Sequence, residues 1–167
     1  ARKFNNRFGK TFIEPQPILT KTPRVMSLSD PRKKMSKSEP SGCLFIDDSP
    51  EEIKKKISRA TTDSGSEIKY DPEKKAGISN LLGIYSALSN KPIAKIEKEF
   101  RSKGYAEFKS GLANLVVNYF SNFRKSKKSL LAKPQTLLAV LKSGSVKANK
   151  IANKKISEVK KKIGIVI

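Results

Sequence analysis

Two rhythms divide the chain near residue 49. Beyond it, apolar residues return at helical spacing. Ile53, Ile57 and Ala60 follow Ser49-Pro50-Glu51-Glu52, a capping box with proline at the first helical position, where its missing N–H costs nothing. Leu81, Leu82, Ile84, Tyr85 and Leu88 define a second helix ending at Ser89-Asn90, and Ile93, Ile96 and Phe100 a third, from Pro92 to about Gly104. Tyr105, Phe108, Leu112, Leu115, Val116, Tyr119 and Phe123 form the wide apolar stripe of a fourth, read as the longest. Between the first two lies a connector, 61–77, broken by Gly65, Asp71-Pro72 and Gly77. The basic run RKSKKS (124–129) reads as a break, after which Pro134 opens a short helix through Leu141. A last helix from about Ser145 carries Ala148, Ile151, Ala152, Ile156, Val159 and Ile163 to Gly164.

Upstream of residue 49 the pattern is different. Residues 1 to about 10 read as the end of a helix stopped at Gly9, and the stretch after that glycine is rich in Pro, Ser and Thr. The strand-like run there is Arg24 to Leu28, with no partner strand in sight. The expected architecture is mainly α: a loop-and-strand head, too small to stand as a domain, on an all-helical body. A helix met in its middle and a strand without neighbours both suggest further chain upstream.

Composition narrows the partners. Lys and Arg number 36 against 15 Asp and Glu, a formal charge of +21. Charge of that size says nothing about fold but predicts attraction to polyanions, nucleic acid first and an anionic membrane surface second. No apolar run approaches the roughly 18 residues of a spanning helix, and the opening residues lack a secretory pattern. One cysteine, Cys43, excludes a disulfide framework and a cysteine-based metal site, fits a reducing cytoplasmic setting, and reads as a small packed hydrophobe. The chain has no histidine. Ser-His and Cys-His catalysis and histidine metal sites are therefore excluded, and any chemistry must rest on lysine, serine and carboxylates.

Those residue types gather in DPRKKMSKSEPSG (30–42). Lys34 and Lys37 share one segment with the hydroxyls of Ser36 and Ser38. Lysine is a compact cation on a long stem, suited to following a polyphosphate as its charge moves. A loop that closes such cations on phosphate oxygens as the transition state forms would raise rate. Met35 could cover a base or join the core. In a lysine-rich chain this spacing alone also fits a solvated basic loop.

The full string decides more. KMSKS, Lys34 to Ser38, is the signature of class I aminoacyl-tRNA synthetases. RFGKTF (7–12), RVMSLSDPRKKMSKSEP (24–40), TDS (62–64), GISNLLGIYSALS (77–89) and KGYAEFK (103–109) resemble, in order, the C-terminal half of the bacterial tryptophanyl-tRNA synthetases. The resemblance implies a helical anticodon-binding-type bundle attached to the last strand and KMSKS loop of a Rossmann-like catalytic domain whose remainder is absent. It places that remnant at 1–45, the helical domain at 46–142 and a helix returning toward the catalytic domain at 143–167. It implies a tryptophan–tRNA ligase that uses ATP with Mg2+, L-tryptophan and tRNA(Trp), a cytoplasmic homodimer when intact, with no protein-bound metal. Lys34 and Lys37 would stabilise charge on the leaving pyrophosphate; Met35, Ser36 and Ser38 would line the nucleotide site, and the Val25 backbone would meet the adenine. The family's HIGH-like motif and amino-acid pocket have no counterpart here, so the isolated chain is expected to be inactive.

Basic residues Arg101, Lys103 and Lys109 accompany Tyr105 and Phe108, a mix suited to unpaired bases. Burial is the favoured role for these two aromatics, because they begin the apolar stripe of their helix. The alternatives to the ligase are a tyrosyl-tRNA synthetase within the class, a stand-alone basic helical RNA-binding module without catalysis, and a membrane-surface protein. The last conflicts with apolar faces spread over several helices.

Overall fold

A computed structural model describes residues 1–20 and 22–165. Its elements are α1 (Arg2–Phe8), a 3-10 turn (Pro40–Gly42), α2 (Pro50–Ser58), α3 (Ala76–Ser89), α4 (Ile93–Glu99), α5 (Tyr105–Tyr119), α6 (Ser121–Leu131) and α7 (Pro134–Lys162). The chain forms two compact units, one of residues 19–126 and one of 1–18 with 127–167.

The central unit is built around α5. Helices α2 and α3 pack on α5, and α4 packs on α3. Ile53, Ile57, Ile78, Leu81, Leu82, Ile96, Phe108 and Leu112 are fully buried, which accounts for the helical spacing of these residues. Removing such a side chain from water contributes about 1.5–3 kcal/mol each. Phe108 lies at the centre, stacked on Tyr85 (centroids 5.8 Å apart) and edge-on to Phe100 (5.1 Å). The start of α2 is a complete capping box: the Glu52 N–H donates to Ser49 Oγ at 3.2 Å, and the Ser49 N–H donates to Glu52 Oε2 at 2.9 Å. Helix α3 ends at Asn90 in the left-handed conformation, φ 58°, the cap that asparagine tolerates better than other non-glycine residues.

In the other unit, Phe4 of α1 packs on Phe8 and Phe12 (4.9 and 5.1 Å). Gly9 ends α1 with φ 79°. The Asn5 amide then holds the returning chain, accepting from the Thr11 and Phe12 N–H groups (3.0 and 2.9 Å) and donating to the Phe12 carbonyl (2.7 Å). From α7, Lys155 Nζ donates to the Thr11 carbonyl, and Lys162 Nζ to the Lys10 carbonyl and Thr11 Oγ1, each at 2.8 Å.

Several expectations are corrected. RKSKKS is not a break but the middle of α6, because its lysines and serines face solvent on a helix that needs no buried face there. The fourth helix ends at Tyr119, so Phe123 belongs to α6. The two helices expected after Pro134 are one continuous 29-residue helix, α7, the longest of the described elements. Gly144 stays helical inside it. The expected strand at 24–28 is reduced to an isolated antiparallel bridge, Met26 with Lys34, and no strand is present among the described residues. Apolar side chains of α7 including Val140, Leu141, Val146 and Ile151 are exposed.

Candidate functional site

The KMSKS segment sits on a tight hairpin that its sequence dictates locally. Asp30-Pro31-Arg32-Lys33 is a β-turn with Asp first and Pro second, the residues this turn favours. The Lys33 N–H closes it on the Asp30 carbonyl at 3.0 Å, and the Arg32 N–H is taken by Asp30 Oδ1 at 3.1 Å. On either side the chain pairs with itself: Ser27 N–H donates to the Lys33 carbonyl (2.8 Å) and Met35 N–H to the Val25 carbonyl (3.0 Å). A second turn comes next, the Glu39 N–H donating to the Ser36 carbonyl at 3.1 Å and the Ser38 N–H to Ser36 Oγ at 3.3 Å. Lys37 and Ser38 are therefore the inner residues of an exposed turn, and Lys34 and Ser36 are exposed beside it.

The six candidate residues thus divide into two groups. Lys34, Ser36, Lys37 and Ser38 present two ammonium groups and two hydroxyls to solvent within one hairpin arm. Val25 and Met35, joined by their backbone hydrogen bond, are half-buried and line a cavity of about 640 Å³ with Leu44, Ile84, Leu88 and Phe120. An apolar hollow next to a cationic arm can take a flat apolar group and the phosphates attached to it. Among the described residues no group of three or more His, Cys, Asp or Glu is placed to hold a metal.

The hairpin is anchored beneath. Leu28 N–H donates to the Gly42 carbonyl at 2.9 Å, and a Cβ at residue 42 would lie 2.1 Å from Ser27 Oγ, so only glycine fits that approach. Thr61 donates its N–H to the Leu28 carbonyl (2.7 Å) and its hydroxyl to the Ser29 carbonyl (2.8 Å). Asn80 of α3 bonds both backbone groups of Met26. Sequence reading singled out neither Thr61 nor Asn80. The available signal was an asparagine set among the apolar residues Ile78, Leu81 and Leu82 of α3.

The connector carrying TDS is clamped by the helices. Tyr105 OH is 2.9 Å from both oxygens of Asp63, and Lys75 Nζ is 3.3 Å from Asp63 Oδ1 and 3.0 Å from Tyr105 OH. Burial pushes the Asp63 carboxyl up, but the bonds from Tyr105, the Gly65 N–H and Lys75 outweigh it and hold the group below the usual carboxylate range. Lys109 is not the exposed cation expected. It donates to the Ala60 carbonyl at 2.7 Å and to Thr62 Oγ1 at 3.3 Å, and burial pulls its pKa down. Its position inside the apolar stripe of α5 aims it at the connector rather than at solvent. Phe108 is fully buried and Tyr105 half-buried, so burial is the role of both rings, while Arg101 and Lys103 are exposed.

Residues 1–121 match the family described as tRNA synthetases class I (W and Y). The chain belongs to that family. It is 41% identical over its whole length to the tryptophan–tRNA ligase of Caldanaerobacter subterraneus subsp. tengcongensis, of which it covers 51%, and 42% identical over 99% of its length to that of Oceanobacillus iheyensis, again covering 51%. Its structure resembles the tryptophanyl-tRNA synthetase of Mycoplasma pneumoniae with a TM-score of 0.87 at 28% identity, over 99% of this chain and 51% of that one. It also resembles the Campylobacter jejuni tryptophanyl-tRNA synthetase complexed with ADP and tryptophan, with a TM-score of 0.65 at 31% identity, covering 98% of this chain and 51% of that one. The chain spans about half the length of these class I relatives. Among the described residues no helix is long and apolar enough to cross a membrane.

Proposed function

We propose that the chain is the C-terminal portion of a tryptophan–tRNA ligase and supplies the ATP loop and tRNA-binding helices of the intact enzyme. The observation that carries this reading is the KMSKS hairpin itself. It exposes Lys34 and Lys37 on one arm, beside an apolar cavity walled by Val25 and Met35, in a chain about 40% identical to tryptophan ligases. That identity favours tryptophan over tyrosine as the amino acid.

In the reaction, the carboxylate of L-tryptophan attacks the α-phosphorus of ATP, the bond to the bridging oxygen breaks, and pyrophosphate departs with the negative charge. Tryptophanyl-adenylate then transfers its acyl group to tRNA(Trp). Charge grows on the departing pyrophosphate as the bond breaks, so cations that meet it there lower the barrier more than they tighten ground-state binding. Lys34 and Lys37 have that role. Ser36 and Ser38 offer hydroxyls and backbone N–H groups to the same phosphates, and Val25 and Met35 border the base. ATP enters with Mg2+, to which no residue of this chain is assigned.

In this reading 1–45 belongs to the catalytic domain, 46–142 is the anticodon-binding-type domain and 143–167 returns toward the catalytic domain. The bonds of Lys155 and Lys162 to residues 10 and 11 support that return. The intact enzyme is read as a cytoplasmic homodimer.

Tryptophan-dependent ATP–pyrophosphate exchange tests the proposal. The 167-residue chain alone should stay at background, because one phosphate loop cannot position both reactants. The longer protein carrying this sequence should exchange, and Lys37→Ala should lower its kcat on the order of 10²–10³-fold with little change in the KM for ATP. Robust exchange by the short chain, or a Lys37→Ala effect confined to KM, would overturn it.

A further inference from the structure

Asn80 gives Met26 what a neighbouring strand would give it. In the hairpin, Val25 and Ser27 direct their pairing groups inward, at Met35 and Lys33. The alternation of an antiparallel pair then turns the N–H and carbonyl of Met26 outward, to an edge with no further strand. Asn80 Oδ1 accepts the Met26 N–H at 2.9 Å, and Asn80 Nδ2 donates to the Met26 carbonyl at 2.9 Å. Asparagine carries a donor and an acceptor on one short planar group. Aspartate has two acceptors when ionised, and glutamine is one methylene longer.

The platform behind this amide is rigid. Asn80 lies between Ser79, which is buried and accepts the Asp71 N–H at 2.8 Å, and Leu81, which is buried in the core. Two residues further along the hairpin, Thr61 holds Leu28 and Ser29. The helical body therefore grips one arm of the hairpin at successive points, while the other arm, bearing Lys34 and Met35, is hydrogen-bonded to the first and rests the Met35 side chain on the core.

We propose that Asn80 is a positioning residue for the KMSKS loop: by fixing Met26 it sets the register of the arm on which Lys34, Met35 and the adjoining turn are hung. The inference rests on the reading of this loop as the ATP loop. Asn80 touches no substrate, and its effect on rate passes through backbone placement, to which phosphate-stabilising groups are sensitive at the ångström level.

Two measurements test it. In the 167-residue chain, Asn80→Ala should accelerate hydrogen exchange of the Ser27 and Met35 amides by roughly tenfold or more, whereas core amides such as Leu112 keep their protection. These two amides keep their own acceptors in the variant, so their response reports on the hairpin rather than on the deleted bond. Unchanged exchange at both would overturn the proposal without reference to any activity. In the longer protein, Asn80→Ala should lower the kcat of tryptophan-dependent exchange by about tenfold to a hundredfold, with the KM for tryptophan within about twofold of the parent.

Asn80→Asp provides the conservative test. Its ionised carboxylate meets the Met26 carbonyl unfavourably, but a protonated carboxyl can accept and donate as asparagine does. Its kcat relative to the parent should therefore rise as pH falls. A kcat insensitive to Asn80 in an active enzyme removes this inference alone, and equal losses in kcat and tryptophan affinity would show general damage and also overturn it. If the unsubstituted longer protein shows no exchange, the functional reading fails and takes the catalytic part of the inference with it.

Discussion

Replacing Tyr105 with phenylalanine isolates one hydroxyl in the clamp on the 61–77 connector. The ring stays and no cavity opens, so the loss is confined to hydrogen bonding. The hydroxyl lies 2.9 Å from each Asp63 oxygen and accepts from Lys75 Nζ at 3.0 Å. A hydrogen bond to a charged acceptor contributes about 1.5–3 kcal/mol. Here the Asp63 side chain is 25% exposed, so water replaces part of what is lost. The expected penalty is about 1–2 kcal/mol at neutral pH, or a fall of roughly 0.5–1 M in the urea midpoint for a domain of this size. The pH dependence has a definite sign. The folded-state pKa of Asp63 is depressed, so the stabilisation is complete above the unfolded carboxylate range and is lost as pH falls through the folded value. The difference between parent and Tyr105→Phe should therefore be full at pH 7 and shrink in acid, below about pH 4. Urea unfolding followed by circular dichroism at several pH values measures both. A penalty near zero at pH 7, or one that grows on acidification, would refute the assignment of Asp63 as the ionised partner.

Phe108→Ala should cost about 3–5 kcal/mol in urea unfolding, because the ring is wholly buried between Tyr85 and Phe100. Gly77→Ala should destabilise by roughly 1–3 kcal/mol and speed amide exchange at Thr61, since a Cβ there would lie 2.2 Å from the Thr61 carbonyl oxygen. The chain should bind tRNA in filter assays with an affinity that falls about 10³-fold or more between 50 and 200 mM salt and with little preference for the cognate species. Tight, salt-insensitive and cognate-specific binding would show that the helices recognise tRNA unaided.

Features with a local cause could be read from the chain. Ser49 and Glu52 form a cap wherever that spacing opens a helix, and Gly9 and Asn90 stop helices because they accept positive φ. The apolar stripes of α2 to α5 identified the core, and Cys43 is the buried small side chain expected. Helix α6 escaped because its middle is lysine and serine, polar enough to resemble a linker, although neither residue type forbids a helix. Gly144 hid the continuity of α7, since a lone glycine weakens a helix by about 1 kcal/mol without having to end it. At the candidate site, KMSKS was found as a string, but its supports lie far away in sequence. Asn80 is 54 residues from Met26, and no periodicity encodes a side chain that substitutes for a strand. The burial of Lys109 has the same cause, because its partners, the Ala60 carbonyl and Thr62 Oγ1, lie where the chain leaves α2 for the connector, a path that spacing cannot reveal.

Cys43 makes the molecule its own clock. It is the one thiol in the chain, 7% exposed, and it directly follows Gly42, whose carbonyl receives the Leu28 N–H at the base of the hairpin. Burial raises its pKa, so while shut away the thiol is inert at neutral pH, and it regains ordinary thiol reactivity only when the region opens. The rate at which a maleimide or a disulfide reagent consumes that thiol, divided by the rate for a small model thiol at the same pH, therefore approximates the fraction of time the region beneath the loop stands open. No probe has to be introduced, and no second cysteine blurs the signal. Nucleotide, tRNA or a substitution that tightens the hairpin would each be recorded as a slower tick.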